Sequence, residues 1–256
     1  MRNMILALLP LAALLAAPVA HAQGGGDQAG VEMTVAERDA FRAEVRDYLL
    51  ENPEILNEMV KILDERQKAR TSQTDQQLVA ANADELFNDG YSWVTGNPEA
   101  DFTVVEFLDY QCGYCRKAMP EVTELLESDG QIRMIVKDFP ILGPGSELAA
   151  RAVTAAMITG GPEAYERLHD VLMTAKGQIA DESLDRVLRE ADLDPDTIRP
   201  AMEDPEVDRR IDRNRALAQE LAITGTPTFV FQTDMVRGYI TLADMRQVVE
   251  ELRGTE

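Results

Sequence analysis

The sequence has few of the residues that metal centres and nucleic-acid surfaces require. Its 256 residues include two cysteines, Cys112 and Cys115, and two histidines. A closed zinc site takes about four such ligands, so we expect no metal and no cofactor. The 25 Lys and Arg residues are outnumbered by 46 Asp and Glu residues, which gives a formal net charge of −21. This charge argues against nucleic acid or an anionic membrane surface as a partner.

Long apolar segments are also scarce, and the most apolar one lies at the N terminus. Arg2 precedes an apolar run from Met4 to Ala17, which is followed by the small residues Ala20 and Ala22. This pattern predicts that residues 1–22 are a secretory signal peptide cleaved near Ala22. The apolar run is shorter than the roughly 20 residues of a membrane anchor. We therefore expect an exported, soluble protein in the periplasm or another oxidising compartment.

Helical patterns dominate residues 23–90. Thr34 and Glu37 form the signature of a capping box, and an apolar stripe runs over residues 41–63. A polar spacer from Asp64 to Gln77 separates this stripe from the rest of the chain. The stripe therefore needs another surface to cover it, either the main domain or a second copy of the chain. We favour a homo-oligomer, a dimer or trimer, formed through residues 34–88.

The two cysteines lie where an apolar strand pattern gives way to a helical pattern. The strand runs over residues 103–110, and helix-compatible residues follow Cys115. A helix N terminus presents unsatisfied N–H groups and a positive dipole, which lower the pKa of a nearby thiol. Cys112 is thus predicted to be a nucleophile. Cys115, one turn later, can attack a mixed disulfide formed at Cys112, which indicates dithiol–disulfide exchange.

The cysteine pair has two other possible uses. A purely structural bridge between Cys112 and Cys115 would stabilise little, because it closes a very short loop. Two thiolates can also hold Cu(I), a soft metal ion. A chaperone or scaffold with incidental thiols is a third possibility.

Glu106 lies within the apolar run six residues before Cys112. If the strand is interior, Glu106 is buried and its pKa is raised, so it can exchange a proton with Cys115 directly or through water. The alternative is an exposed strand residue. Lys137, in a second strand pattern over residues 132–139, either tunes Glu106 or is solvated.

Helical segments separated by Gly and Pro fill residues 146–222. Strand formers then return in the run Thr226-Pro227-Thr228-Phe229. A proline that introduces a strand suits a cis bond or an edge kink. A hairpin strand at 235–239 and a closing helix at 241–252 complete the pattern.

This order of elements, with Cys112-Gly113-Tyr114-Cys115 and the distant Thr226-Pro227, resembles the DsbA-like branch of the thioredoxin superfamily. Tyr48 to Glu54, Y-L-L-E-N-P-E, resembles the helical extension of ScsC-type proteins. The resemblance implies an α/β thioredoxin-like fold over residues 91–256, with a helical insertion at about 146–222, preceded by an N-terminal helical oligomerisation arm at 23–90.

The resemblance also implies roles for individual residues. Cys112 matches the nucleophile, Cys115 the resolving cysteine, Glu106 the buried acid and Pro227 the cis-proline that faces the redox-active pair. Thr226 would offer backbone hydrogen bonds to an extended client segment, next to Gly113 and Tyr114.

The implied activity is thiol–disulfide exchange on client proteins that contain cysteines. The Gly113-Tyr114 dipeptide lacks the His of the strongly oxidising DsbA and is similar to that of DsbC-like isomerases. We therefore favour a disulfide isomerase or reductase kept reduced by a DsbD-like membrane partner. A DsbA-like dithiol oxidase with a DsbB-like partner, or a copper-tolerance protein that holds Cu(I), is the alternative.

Overall fold

The computed structural model describes residues 33–254. The predicted signal peptide, residues 1–22, lies outside the described residues. The described residues form nine helices and five strands, in the order α1 Val35–Glu51, α2 Glu54–Ala81, α3 Ala83–Phe87, β1 Trp93–Gly96, β2 Phe102–Leu108, α4 Gly113–Asp129, β3 Ile132–Asp138, α5 Pro144–Thr174, α6 Asp181–Glu190, α7 Pro195–Ala201, α8 Pro205–Glu220, β4 Thr228–Phe231, β5 Asp234–Arg237 and α9 Leu242–Arg253. None of the helices within residues 33–254 has the length and apolarity needed to cross a bilayer.

The chain divides into two compact units, one that ends at Val60 and one that begins at Lys61. The described part of the first unit begins with α1, which starts with the predicted capping box. The Thr34 hydroxyl accepts a hydrogen bond from the Glu37 N–H at 3.3 Å, and the Glu37 carboxylate accepts one from the Thr34 N–H at 2.9 Å. None of the α1 residues is buried. Large apolar side chains of this unit remain exposed, namely Val35, Phe41, Val45, Tyr48, Leu49, Leu50, Leu56, Met59 and Val60.

The second unit is built on a five-stranded sheet of order β1-β3-β2-β4-β5. The central strand β2 pairs in parallel with β3 and antiparallel with β4. All seven residues of β2 are buried, because helices cover both faces of the sheet. Val105 and Phe107 face one apolar cluster with α8, and Val104 faces another with α4 and α9. The strand is therefore interior, as its unbroken apolar run predicted.

Helices α5 to α8 lie between β3 and β4 in the chain and form the helical insertion. Helix α5 is broken at Gly161, whose φ of 73° suits glycine, and Pro162 starts its second half. Residues 61–90, which the sequence assigned to the arm, lie in the second unit, where Val79 and Leu86 are buried in the cluster that contains Phe107. The α/β class agrees with the prediction.

Candidate active site

Cys112 and Cys115 lie at the N terminus of α4, and Cys112 is the fourth residue after Leu108, the end of the central strand. Cys112 directly precedes the first helical residue, Gly113. Both cysteines carry free thiols. Cys112 is 7% exposed and Cys115 is fully buried, whereas Tyr114 between them is 62% exposed. Access from solvent therefore favours attack by Cys112 and leaves Cys115 for a second, internal step.

The environment of Cys112 stabilises its thiolate and lowers its pKa to about 5. The largest contribution is a hydrogen bond from the Cys115 thiol, which outweighs the opposing effect of burial. The backbone N–H groups of Cys115 and Tyr114 at the helix N terminus add to it. Cys112 is therefore ionised at neutral pH.

Cys115 has the opposite character. Its hydrogen bond to Cys112 raises its pKa most, and burial and the nearby charge of Glu106 raise it further. A thiol with a raised pKa needs a base before it can attack a disulfide. Cys112 is therefore ready to act as a nucleophile, whereas Cys115 stays protonated until a base removes its proton.

Glu106 lies on β2 and is 4% exposed. Burial raises its pKa to about 8, and the charge on Cys112 adds to this effect. Its Oε1 atom is buried and has no hydrogen-bond partner among the described residues. Glu106 is therefore an interior group that can take up or release a proton near neutral pH.

Thr226 and Pro227 are more than 100 residues from the cysteine pair in the sequence but lie next to it in the structure. The peptide bond between them is cis, and Pro227 leads into β4. In its protonated form, Cys112 donates a hydrogen bond from its thiol to the Thr226 carbonyl at 3.2 Å. The structure thus brings together Cys112, Cys115, Glu106, Thr226 and Pro227, which the sequence had selected from three separate segments.

Asp109 is a site residue that the sequence analysis missed. It is buried, and one carboxylate oxygen accepts a hydrogen bond from the Gln111 N–H at 2.8 Å. The other oxygen accepts hydrogen bonds from the N–H groups of Ile141 at 2.8 Å and Leu142 at 3.0 Å. Asp109 therefore ties the loop after β3 to the active-site turn and holds two exposed apolar side chains beside it.

A contact between two tyrosine rings also borders the site, and the sequence analysis did not predict this contact. The rings of Tyr114 and Tyr239 lie 6.2 Å apart. Lys117 places its ammonium 3.9 Å from the centre of the Tyr239 ring, and the Tyr239 hydroxyl donates to Glu121 at 2.5 Å. These contacts fix the exposed residue of the Cys-Gly-Tyr-Cys turn against the loop after β5.

A buried polar chain runs beneath the turn. The Tyr165 hydroxyl donates to Asp138 at 2.7 Å, and the Tyr110 hydroxyl lies 3.1 Å from both the Tyr165 hydroxyl and His169 Nδ1. Burial raises the pKa of Asp138 to about 7 and lowers that of His169 to about 4. These groups anchor Tyr110, two residues before Cys112.

Lys137 has neither of the two settings expected from the sequence. It is fully buried, and its ammonium contacts Asp89 at 2.5 Å and the Glu85 carbonyl at 2.7 Å. Glu106 pairs across the sheet with Val136, so the next residue, Lys137, points to the opposite face. Lys137 therefore serves an ion pair with Asp89 rather than the cysteine site.

Two families match the chain. The DsbA-like thioredoxin domain matches residues 103–250, more than half of the sequence. The family described as the copper resistance protein ScsC N-terminal domain matches residues 37–70. The predicted DsbA-like and ScsC-type resemblance, and with it the thioredoxin-like fold, is confirmed by these matches and by the structures below.

Solved structures that are similar to this chain include a thioredoxin-like oxidoreductase and an ScsC protein. A thioredoxin-like oxidoreductase from Silicibacter pomeroyi DSS-3 is 43% identical, with a TM-score of 0.64, over 67% of this chain and 97% of that one. ScsC of Proteus mirabilis in a transitional conformation is 27% identical, with a TM-score of 0.65, over 88% of this chain and 100% of that one.

Among curated proteins, a Na(+)/H(+) antiporter NhaA 3 from Salinispora tropica is 34% identical over 138 residues. The match takes in 53% of this chain, and the chain spans about a fifth (21%) of that relative's length.

Proposed function

Because the chain belongs to the DsbA-like thioredoxin domain family, whose members are thiol–disulfide oxidoreductases, we propose that it is an exported protein disulfide isomerase or reductase. The observation that supports this most is the contrast between the two thiols. Cys112 is ionised and keeps 7% of its surface exposed beside the cis-proline, while Cys115 is protonated and fully buried. This arrangement suits one thiolate that attacks clients and one thiol held back from them.

Isomerisation begins when the Cys112 thiolate attacks a sulfur of a wrongly paired client disulfide. A Cys112–client disulfide forms and a client thiolate leaves. A different client thiolate then attacks the client sulfur of the mixed disulfide, which creates a new client disulfide and releases the Cys112 thiolate. No net oxidation or reduction occurs, so Cys115 is not consumed.

Reduction uses the same first step and ends differently. Cys115 passes its proton to Glu106, and its thiolate attacks Cys112 Sγ. The Cys112–Cys115 disulfide forms, and the client leaves with two electrons more. Its two sulfurs leave as thiolates, which take protons from Glu106 and from solvent. Glu106 suits this role because its pKa of about 8 is that of a base active near neutral pH. Oxidation of a client is the reverse sequence.

Client recognition involves the backbone of Thr226 and the exposed residues around the turn. Gly113 and Tyr114 border Cys112 on one side, and Ile141 and Leu142 stand on the loop that Asp109 holds. An extended client segment can lie across this surface and pair with the backbone at Thr226. Apolar residues beside the client cysteine fit Leu142, which is 54% exposed.

We further propose that residues 34–88 contain the oligomerisation arm. In the first unit, Phe41 and Tyr48 are each 57% exposed and Leu56 is 66% exposed. Contiguous exposed apolar residues mark a protein interface. The match of residues 37–70 to the ScsC N-terminal family supports the same conclusion. A dimer or trimer would place several active sites around one client.

The direction of exchange rests on the redox partner. The Gly113-Tyr114 dipeptide contributes no histidine to stabilise the Cys112 thiolate, which favours a less oxidising pair than that of DsbA. A DsbD-like membrane partner would keep such a pair reduced in the periplasm. A DsbB-like partner would instead make it an oxidase.

Refolding of a scrambled, multi-disulfide protein tests this proposal. We expect the reduced wild-type protein to accelerate recovery of the native disulfides and Cys112→Ser to have no effect. The matched Cys115→Ser variant should retain isomerisation and lose net reduction of clients. Activity that persists in Cys112→Ser would contradict the proposal and point to a chaperone.

A copper-handling role is the second candidate, favoured by the description of the family that matches residues 37–70. The thiols of Cys112 and Cys115 are within hydrogen-bond reach of each other, and two soft thiolates suit Cu(I). Tight stoichiometric Cu(I) binding that is lost in Cys112→Ser, together with inertness in the refolding assay, would favour this function over exchange.

A further inference from the structure

A cavity of about 490 Å³ lies on the inner side of α4, away from the exposed turn. Its floor is the sheet at Glu106, Met134 and Val136, and its walls are α4 and the second half of α5. Met119, one turn after Cys115 on α4, is part of the lining. The volume lies in the range of small-molecule sites, roughly 300–1,000 Å³.

The lining combines an apolar surface with negative charge. Trp93, Met119, Leu126 and Met173 are among the apolar lining residues. Glu127 on α4 and Glu166 and Asp170 on α5 add carboxylates, and His169 is the remaining titratable group besides Glu106. Of the lining residues within the described part of the chain, none is Lys or Arg. A ligand that fits this site carries an apolar body and a positive charge.

Glu106 supplies an observation that points to a ligand. It is 4% exposed, it lines the cavity, and its Oε1 has no hydrogen-bond partner among residues 33–254. A buried polar atom without a partner costs free energy that a hydrogen-bond donor in the cavity would recover. An ammonium group is such a donor, and its charge also suits a carboxylate.

We propose that this cavity binds a small organic amine with an apolar body, whose ammonium pairs with Glu106 and whose apolar part lies against Trp93 and the methionines. The consequence for chemistry rests on the function proposed above. A carboxylate already paired with an ammonium is a weaker base for the Cys115 proton. Occupancy should therefore slow the step in which Cys115 attacks Cys112, without slowing the attack of Cys112 on a client.

Trp93 makes binding measurable without any exchange reaction. It is the one tryptophan of the sequence, and it lines the cavity. We would titrate the full-length reduced protein with phenethylamine and with the neutral 2-phenylethanol, near pH 8 because the pKa of Glu106 is about 8, and follow Trp93 fluorescence. The amine should bind at least about tenfold more tightly than the alcohol.

Three variants locate the site. Glu106→Gln should weaken amine binding about tenfold and change alcohol binding less than about twofold. Glu127→Gln, a matched change of an exposed carboxylate at the rim, should change amine binding less than about threefold. Thr123→Phe, an exposed position that also lines the cavity, should exclude both probes, and it tests the site even where Glu106→Gln does not fold.

Equal affinity for the amine and the alcohol, no fluorescence response to either, or unchanged binding in Glu106→Gln or Thr123→Phe would overturn the proposal. The kinetic part has its own readout. Saturating phenethylamine should slow formation of the Cys112–Cys115 disulfide from a preformed Cys112 adduct and leave alkylation of Cys112 unchanged. Amine binding with no exchange activity at all would remove the proposed function and retain the binding site.

Discussion

Removal of the Cys115 thiol should raise the pKa of Cys112. The hydrogen bond from Cys115 is the largest contribution to the lowered pKa of Cys112, ahead of the two backbone N–H groups. Cys115→Ala deletes this donor and leaves the backbone of α4 in place. Cys115→Ser is the matched control, because its hydroxyl still offers a hydrogen bond to the Cys112 thiolate.

The size of the effect follows from the worth of the lost hydrogen bond. A hydrogen bond to a charged group contributes roughly 1.5–3 kcal/mol, and about 1.4 kcal/mol corresponds to a tenfold change in an equilibrium constant. The acid dissociation constant of Cys112 should therefore fall roughly 10- to 100-fold in Cys115→Ala. The helix N terminus keeps the thiol more acidic than a free cysteine even so.

The ultraviolet absorbance of the thiolate, followed against pH in the reduced variants, measures this constant. Alkylation of Cys112 by iodoacetamide across the same pH range gives an independent value. We expect Cys115→Ser to titrate close to pH 5 and Cys115→Ala to titrate clearly higher. Identical curves for the two variants, both near pH 5, would refute the reasoning and assign the low pKa to the helix N terminus.

Three further predictions follow from the site and the arm. Glu106→Gln should gain stability relative to wild type as pH rises from about 4.5 to 8, by on the order of a few kcal/mol. The reason is that the raised pKa of Glu106 makes its stabilising contribution present at low pH and lost as pH rises through 8. Urea unfolding of both proteins at several pH values measures the difference, and parallel curves of stability against pH would contradict the prediction. Asp109→Ala should raise KM for an apolar cysteine-containing peptide severalfold, because the loop bearing Ile141 and Leu142 loses its hydrogen bonds to Asp109. The pKa of Cys112 should stay near 5. An unchanged KM would show that this loop does not depend on Asp109 for client binding. Phe41→Asp with Leu56→Asp should lower the mass of the full-length protein in solution to that of a monomer, measured by light scattering, whereas a wild-type monomer would remove the arm's proposed role.

Local patterns in the sequence predicted the parts of the fold that depend on local signals. The interior strand could be predicted because residues 103–108 are apolar on both faces. The placement of the cysteines at a strand-to-helix junction could be predicted because the apolar strand pattern ends at Tyr110 and a helical pattern follows. The capping box at Thr34 needed two residues three positions apart. In each of these cases, a few residues close together in the sequence are enough to predict the feature.

The features that were missed depend on contacts between distant segments. Asp109 gains its role from backbone N–H groups 32 and 33 residues later, which no local pattern specifies. Lys137 was expected either to tune Glu106 or to be solvated, yet the alternation of side chains along β3 turns it toward Asp89. That alternation was readable in the sequence. The cavity at Glu106 needed the second half of α5 to be positioned, and this is a result of packing.

The low pKa of Cys112 was predicted for a reason that is correct and incomplete. The helix N terminus contributes through the N–H groups of Tyr114 and Cys115, as expected. The larger contribution comes from the Cys115 thiol, which the sequence analysis had considered only as a second nucleophile. Cys115 thus both activates Cys112 and stands ready to attack it.

The most direct test of the account is covalent trapping of a client. Reduced Cys115→Ala, mixed with a disulfide-bonded client and quenched with acid, should yield a mixed disulfide whose intact mass equals protein plus client and whose linkage maps to Cys112. Cys112→Ala, with Cys115 intact, should yield none. An adduct on Cys115, or equal trapping by both variants, would contradict the central claim that Cys112 alone attacks the client disulfide.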